Sequence, residues 1–329
     1  MSATEGLIDA DDLALLATGF EAAMAEAPGP AEADVALYEL GWGELLAAAP
    51  AQGAAVAFSA LGEAGSAAGL IDDVVVHALG LEVSVRTAAV LPAPHRAAAP
   101  ARRQGDTVVI DGLVSARAQM ASIAVVAVDD GGDIAIGVVD TSALGPLPTT
   151  GGLDPGDAYR RLWAEIPAAE VTPAASTGTW EAAVAAARIA LAHQLVGGAR
   201  WMLAEARQHA VDRRQFGRPV ASFQAIRHKL AESLVEIEGA ASVAAACVQD
   251  QNPLLAALAK SLAGQAAHTT ATHAQQVLAG IGFTAEHQFH RRLKRMLVVD
   301  TLFGSTHSLP TEIGHTLLTQ ATAPHLLPL

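Results

Sequence analysis

The sequence predicts an α+β fold, mostly α, with an N-terminal helical domain over residues 1–80, a small antiparallel β domain over 81–172 and a C-terminal four-helix bundle over 173–329. Three observations carry this. Hydrophobic residues are 51% of the 329 and largely alanine, with only 4% aromatic, and alanine favours helix and fills close helix contacts. Alternating Val/Ile segments gather in the middle of the chain. Apolar steps of three and four return after Pro173 and persist.

Residues 9–80 read as short helices broken at Pro28-Gly29-Pro30, Pro50 and Gly62–Gly69. Leu81–Arg86 alternates like a strand, and Thr107–Gly112 reads as a strand entering a turn at Asp111-Gly112. Ile123–Val128 and Ile134–Val139 flank Asp129-Asp-Gly-Gly-Asp133 as a hairpin. Further on, residues 180–212 hold one helical stripe through Trp180, Val184, Leu191, Leu195 and Met202. Another runs through Phe223, Ile226, Leu230, Leu234, Ile237 and Ala241. Pro219 and Pro253 mark restarts. Long helices on short connections make an antiparallel bundle.

Charge is unevenly placed. Residues 1–85 hold 14 acids and no Lys or Arg, so this quarter carries the whole net charge of −14. Such a surface repels nucleic acid and anionic lipid, leaving a solvated acidic face or a dock for a basic partner. The one cysteine, Cys247, excludes a disulfide framework and reads as a small core residue. Without a long unbroken apolar run or a basic leader, the expectation is a cytoplasmic protein with no membrane span.

Eleven of the 20 cations fall in two windows, Arg200–Lys229 and Arg291–Arg295. The first contains Arg213-Arg-Gln-Phe-Gly-Arg-Pro219 and then Phe223-Gln224: a helix end, a Gly/Pro turn and a new helix start. Guanidinium forks beside free helix amides suit an anion, and a solvated helix-end cap suits the same residues equally well. The 291–295 run reads as a solvated helix face, with phosphate binding at an interface as the alternative. His268/His273 and His287/His290 lack a matching carboxylate or cysteine cluster, so no metal site is expected. Gly131-Gly132 is a turn, with no phosphate-loop helix behind it.

Arg-x-Gln-Phe-Gly-x-Pro followed by Phe-Gln resembles the signature of the acyl-CoA dehydrogenase family. Gln276-Val-Leu-Ala-Gly-Ile-Gly-Phe-Thr284 resembles that family's glycine segment; Leu40-Gly-Trp42, Ala60–Glu63, Asp106–Gly112 and Gly152-Leu-Asp154 are weaker matches. The resemblance implies FAD shared across a subunit interface. Arg213 would meet the pyrophosphate and Gln215 and Phe216 the adenosine side, with Gln224, Gln276 and Gly280 completing the half-site lent to a neighbour. Ala279 replaces the first glycine of the family's pair. The phosphates open to the 291–295 run would be those of FAD or CoA at that interface.

The half-site a subunit keeps for itself departs from the family. Its usual glutamate position is Phe303, followed by Gly304-Ser305, and its alternative is Ala187, before Arg188. Neither side chain accepts a proton, so the expected catalytic residues on this chain are none. Glu181 and Glu205 share that helix without matching the position. Leu91–Pro100 replaces the family's polar flavin loop, and Ser115-Ala-Arg-Ala118 its aromatic flavin cover. The resemblance therefore implies an FAD-anchoring, base-lacking subunit of a heteromeric acyl-CoA dehydrogenase, similar to the α2β2 heterotetramers of actinobacterial steroid side-chain degradation. A related subunit would supply the glutamate. The alternatives are a self-sufficient dehydrogenase using a carboxylate such as Glu181, and a non-enzymatic interaction protein.

Overall fold

The structure, a computed structural model, describes residues 8–147, 153 and 159–320; of the Gly152–Asp154 turn only Leu153 is among them. Five helices come first: α1 (Ala10–Glu26), α2 (Pro30–Glu39), α3 (Trp42–Ala48), α4 (Pro50–Ala64) and α5 (Leu70–Ala78). The breaks at 28–30 and 50 fall as expected, each proline opening a helix. Gly62 does not break α4. Glycine is needed there for close approach, since a Cβ would lie 2.1 Å from the Gln194 carbonyl oxygen.

Strands follow: β1 (Thr87–Ala89), β2 (Leu91–Pro92), β3 (Ala101–Gln104), β4 (Thr107–Ser115), β5 (Ile123–Asp130), β6 (Asp133–Asp140), β7 (Tyr159–Pro167) and β8 (Thr172–Pro173). They form one sheet in the order β2-β4-β3-β5-β6-β8, with β1 on β5 and β7 on β4. Most pairs are antiparallel, but β1–β5 and β3–β5 are parallel, so the sheet is mixed. The 123–139 hairpin turns at Gly131 and Gly132, both at positive φ, as a two-residue turn between twisted strands requires.

Two strand expectations are corrected. Leu81–Arg86 is not a strand, because its first residue is spent closing α5. Gly80 takes positive φ and donates to the His77 carbonyl, while Leu81 donates to that of Val76, the double bond of a left-handed helix stop. Nor does β4 turn at Asp111-Gly112; it runs on to Ser115. Gly112 is needed there for close approach, since a Cβ would sit 2.3 Å from the Leu91 carbonyl oxygen across the β2–β4 pair.

The C-terminal part comprises α6 (Trp180–Asp212), a short hairpin of β9 (Arg214–Gln215) and β10 (Arg218–Pro219), α7 (Gln224–Ala246), α8 (Pro253–Leu278), α9 (Phe289–Thr301) and α10 (Leu309–Gln320). Thr179 and Asn252 cap α6 and α8 through their side chains. Helix α6 is long and apolar enough to cross a membrane by length and composition, but 83% of its most apolar window is buried inside the protein. On α7 the buried line runs through Ser233, Ile237, Ala240 and Ala244, so the expected Leu234 contact fails and Leu234 is 49% exposed. The small residues, not the leucine, face the neighbouring helices. Replacing Gly112 by alanine should destabilise the protein by about 1–3 kcal/mol through overpacking, read as a lower midpoint in urea unfolding.

Candidate functional site

Side-chain contacts fix the bundle's register. Arg200 of α6 meets Glu238 of α7 at 3.2 Å, and Ser233 of α7 meets His273 of α8 at 3.0 Å. Successive helices are therefore antiparallel, and α6 and α8 begin at one end of the bundle and finish at the other. Arg213, Gln224, Gln276 and Gly280 consequently gather at the far end. Ala187 sits near the start, about 39 Å away along α6 at 1.5 Å per residue.

At the far end, the Arg213 N–H closes α6 on the His209 carbonyl. Gln215 pairs with Arg218 across the small hairpin, whose tip, Phe216-Gly217, has positive φ at both residues. Phe216 is 91% exposed, its ring edge-on to Phe223 at 6.2 Å, and the Arg218 guanidinium lies 4.2 Å over Phe223. Gln224 begins α7, exposed. Gln276 and Gly280 are exposed at the end of α8, and a Cβ at Gly280 would meet nothing within 4 Å. Among the described residues Arg213 makes no ion pair. Burial and then the Arg213 charge hold His209 below the usual imidazole range. Unpaired guanidinium, free helix amides and exposed aromatic rings fit the pyrophosphate and adenosine of a dinucleotide such as FAD.

Ala279, where the family has glycine, holds φ +52° and ψ −134°, a backbone that side chains disfavour. The site keeps the glycine conformation without the glycine.

At the near end lie Ala187 and Phe303, the two positions that the resemblance marks for a glutamate. Ala187 and Phe303 are each 0% exposed, and the Phe303 ring packs 6.3 Å from Trp180. Arg188 donates through Nε to the Phe303 carbonyl at 2.9 Å and clasps Glu312 of α10 with both terminal nitrogens, at 2.7 and 2.8 Å. Fully buried Lys260 donates to the Asp300 carbonyl at 2.9 Å and the Gly304 carbonyl at 3.2 Å. Burial pushes the Lys260 ammonium down to about 8 against the pull of Asp300. Burial would raise Asp300, but hydrogen bonds from His268 and Thr306 and the Lys260 charge outweigh it and leave it at about 2. These contacts clamp residues 300–306. The Leu91–Pro100 segment closes over them: His95 N–H donates to the Thr301 carbonyl, and Trp180 Nε1 to that of Ala97.

The Ser115–Ala118 stretch turns inward. Arg117, 0% exposed, pairs with Asp34 of α2 at 3.1 Å and with Asp73 of α5. Tyr38 and Trp42 donate to Asp73, the Gly69 N–H to Asp34, and Ser115 Oγ to Asp72. Three buried carboxylates gather around one guanidinium. Burial raises Asp34, and it raises Asp72 to about 7 against Arg117 and the Ser115 bond.

The remaining expectations resolve individually. Cys247 is buried, its thiol pushed up to about 12 by burial and the Asp250 charge. The 291–295 run is not simply a solvated face: Arg295 is 2% exposed, and Arg292 stacks 4.4 Å over Trp201. Two of its four cations, Arg292 and Arg295, lie over aromatic rings, those of Trp201 and Tyr159. His268 bonds Asp300, His273 bonds Ser233 and His287 approaches Glu205 at 3.7 Å. Among the described residues no three His, Cys, Asp or Glu side chains gather as metal ligands. Sequence reasoning missed Glu312, Lys260 and the Asp34–Asp73–Arg117 knot.

Residues 179–318 match the family model for the acyl-CoA dehydrogenase, C-terminal domain. Acyl-CoA dehydrogenase IpdE2 of Mycolicibacterium smegmatis is 32% identical over 156 residues, 47% of each chain. FadE34 of Mycobacterium tuberculosis is 38% identical over 138 residues, 40% of this chain and 19% of that one. The matched stretches thus span half or less of these relatives' length. Among solved structures, glutaryl-CoA dehydrogenase from Mycobacterium smegmatis superposes with a TM-score of 0.76 at 21% identity over 98% of both chains. The Tcur3481-Tcur3483 steroid ACAD gives 0.78 at 20% identity over 95% and 99%. The fold is that of the acyl-CoA dehydrogenases. Over residues 179–318 the chain is similar to that family's C-terminal domain.

Two outcomes test this geometry. Ala279→Gly should raise unfolding stability by about 1 kcal/mol, since a non-glycine residue held in a sparsely populated positive-φ region costs ~1–3 kcal/mol. Because Asp72 is raised in the folded state, it binds its proton more readily there than when unfolded. Its contribution is therefore full below about pH 4 and lost as pH rises through 7, and Asp72→Asn should flatten that part of a stability–pH profile.

Proposed function

We propose that this chain is a cytoplasmic, FAD-anchoring and base-lacking subunit of a heteromeric acyl-CoA dehydrogenase that introduces an α,β double bond into an acyl-CoA. Its domains are residues 1–80, 81–172 and 173–329. The observation that carries the proposal is the state of the near end: Phe303 and Ala187 are buried where the family's two alternative glutamates would stand. A carboxylate there would enter a packed aromatic contact, and the backbone around it is clamped by Arg188 and Lys260.

At the far end Arg213 binds the pyrophosphate. Gln215 and Phe216 hold the adenosine side, and Gln224, Gln276 and Gly280 complete the grip. When bound, FAD supplies the acceptor for the substrate's β-hydride. The roughly 39 Å between Arg213 and Ala187 exceeds the reach of one extended dinucleotide, so a flavin held here works over another subunit's reaction centre. That subunit, a relative retaining its glutamate, abstracts the α-proton in an α2β2 heterotetramer. Arg117, turned into the Asp34–Asp73 knot, leaves no aromatic cover for a second flavin on this chain. The steroid ACAD structural neighbour supports a CoA thioester of a steroid side chain as the substrate class.

A self-sufficient enzyme would need Glu181 or Glu312 as base, and Glu312 has both oxygens held in the Arg188 fork. The test is flavin absorbance per chain, measured for this protein alone and co-expressed with a glutamate-bearing relative. One flavin per heterodimer, with turnover only in the complex, is the expected result. Stoichiometric flavin and turnover from the lone chain would overturn the proposal in favour of self-sufficiency, and a colourless complex in favour of a non-enzymatic role. In the complex, Arg213→Ala should weaken FAD binding at least tenfold, as loss of a charge-assisted hydrogen bond of ~1.5–3 kcal/mol implies. Glu181→Gln should leave it unchanged.

A further inference from the structure

A cavity of about 1080 Å³ opens between the starts of α6 and α8, the end of α7 and one face of α10. Its volume lies at the upper end for small-molecule sites. Neither Ala187 nor Phe303 lines it, although Trp180, whose ring packs on Phe303, does. Its walls are apolar, with Val184 of α6, Leu254, Leu258 and Leu262 along α8 and Ile313 of α10. The charged groups on its lining are Glu181, Asp250, Glu312 and one cation, Arg188. Arg188 is spent: its Nε serves the Phe303 carbonyl and its two terminal nitrogens serve Glu312. An anionic ligand would meet three carboxylates and no available positive charge. Carboxylates accept hydrogen bonds and donate none when ionised, so the complementary ligand end is a donor.

We infer that this cleft binds an apolar molecule of lipid or fused-ring size ending in a hydrogen-bond donor, a hydroxyl or an ammonium, and that it rejects anionic amphiphiles, acyl-CoA among them. The site is separate from the reading of the chain as a flavin-anchoring subunit, and its test needs no flavin. Trp180 lies in the wall and reports occupancy by fluorescence. The full chain is titrated at pH 7.5 with 1-decanol, decylammonium and decanoate, each below micelle formation. Saturable changes are expected with the alcohol and the ammonium, and at least tenfold weaker binding with decanoate. Leu258→Trp, which fills the cleft, should weaken decanol binding at least tenfold, and Trp180→Phe should remove the signal. Glu312→Gln frees the Arg188 guanidinium and should narrow the gap between decanol and decanoate. The inference is overturned by equal binding of decanoate and decanol to the unaltered chain, by no saturable change with either donor-ended probe, or by decanol binding that Leu258→Trp leaves intact.

Discussion

Everything in the C-terminal half hangs on the unbroken burial of α6. Twenty of its 33 residues are buried, and Gly197 along it lets the α4 backbone at Ser59 come into close contact. A helix of that length cannot bend its two ends towards one another, so the side chains it carries at its start and at its finish serve different places. Arg188 organises the start, where it joins α6 to α10 and to the residue 303 backbone. Arg213 stands at the finish, outside any ion pair among the described residues.

The near end is packed tightly around Phe303. Phe303 occupies the interior at a positive φ of 54°, a conformation that persists only where surrounding contacts over-determine it. Those contacts are the Lys260 and Arg188 hydrogen bonds to neighbouring carbonyls. In the same way Arg117 is tolerable inside the protein because Asp34 and Asp73 reach it from two separate helices. An unpaired buried guanidinium would cost several kcal/mol. The knot joins α2 and α5 to the sheet through charge, where hydrophobic contact alone would leave their angle less defined.

Much of this was readable from residues near one another in the chain. The span of α6 followed from the apolar period over residues 180–212, and the 123–139 hairpin followed from its paired glycines. Local pattern failed wherever a distant segment decided the outcome. Leu81 alternates with its neighbours, but the α5 carbonyl it closes takes precedence over a strand ladder. Gly112 looks like a turn until β2 lies 2.3 Å from where its Cβ would be. Arg117 lies 83 residues from Asp34 and 44 from Asp73, and no periodicity links them. Glu312 likewise reaches Arg188 across 124 residues. At the far end, motif residues marked out the surface, but the left-handed strain at Ala279 is a property of the folded backbone alone.

The buried thiol of Cys247 has a practical side. With its acid–base midpoint pushed to about 12, it holds almost no thiolate at neutral pH, and thiolate is the reactive form towards maleimides and oxidants. The folded chain is thus a nearly silent background for sulfhydryl chemistry. A cysteine engineered onto the exposed hairpin tip would be the dominant handle for a spin label or a dye, so distances across an assembled complex could be measured without first removing the native sulfur.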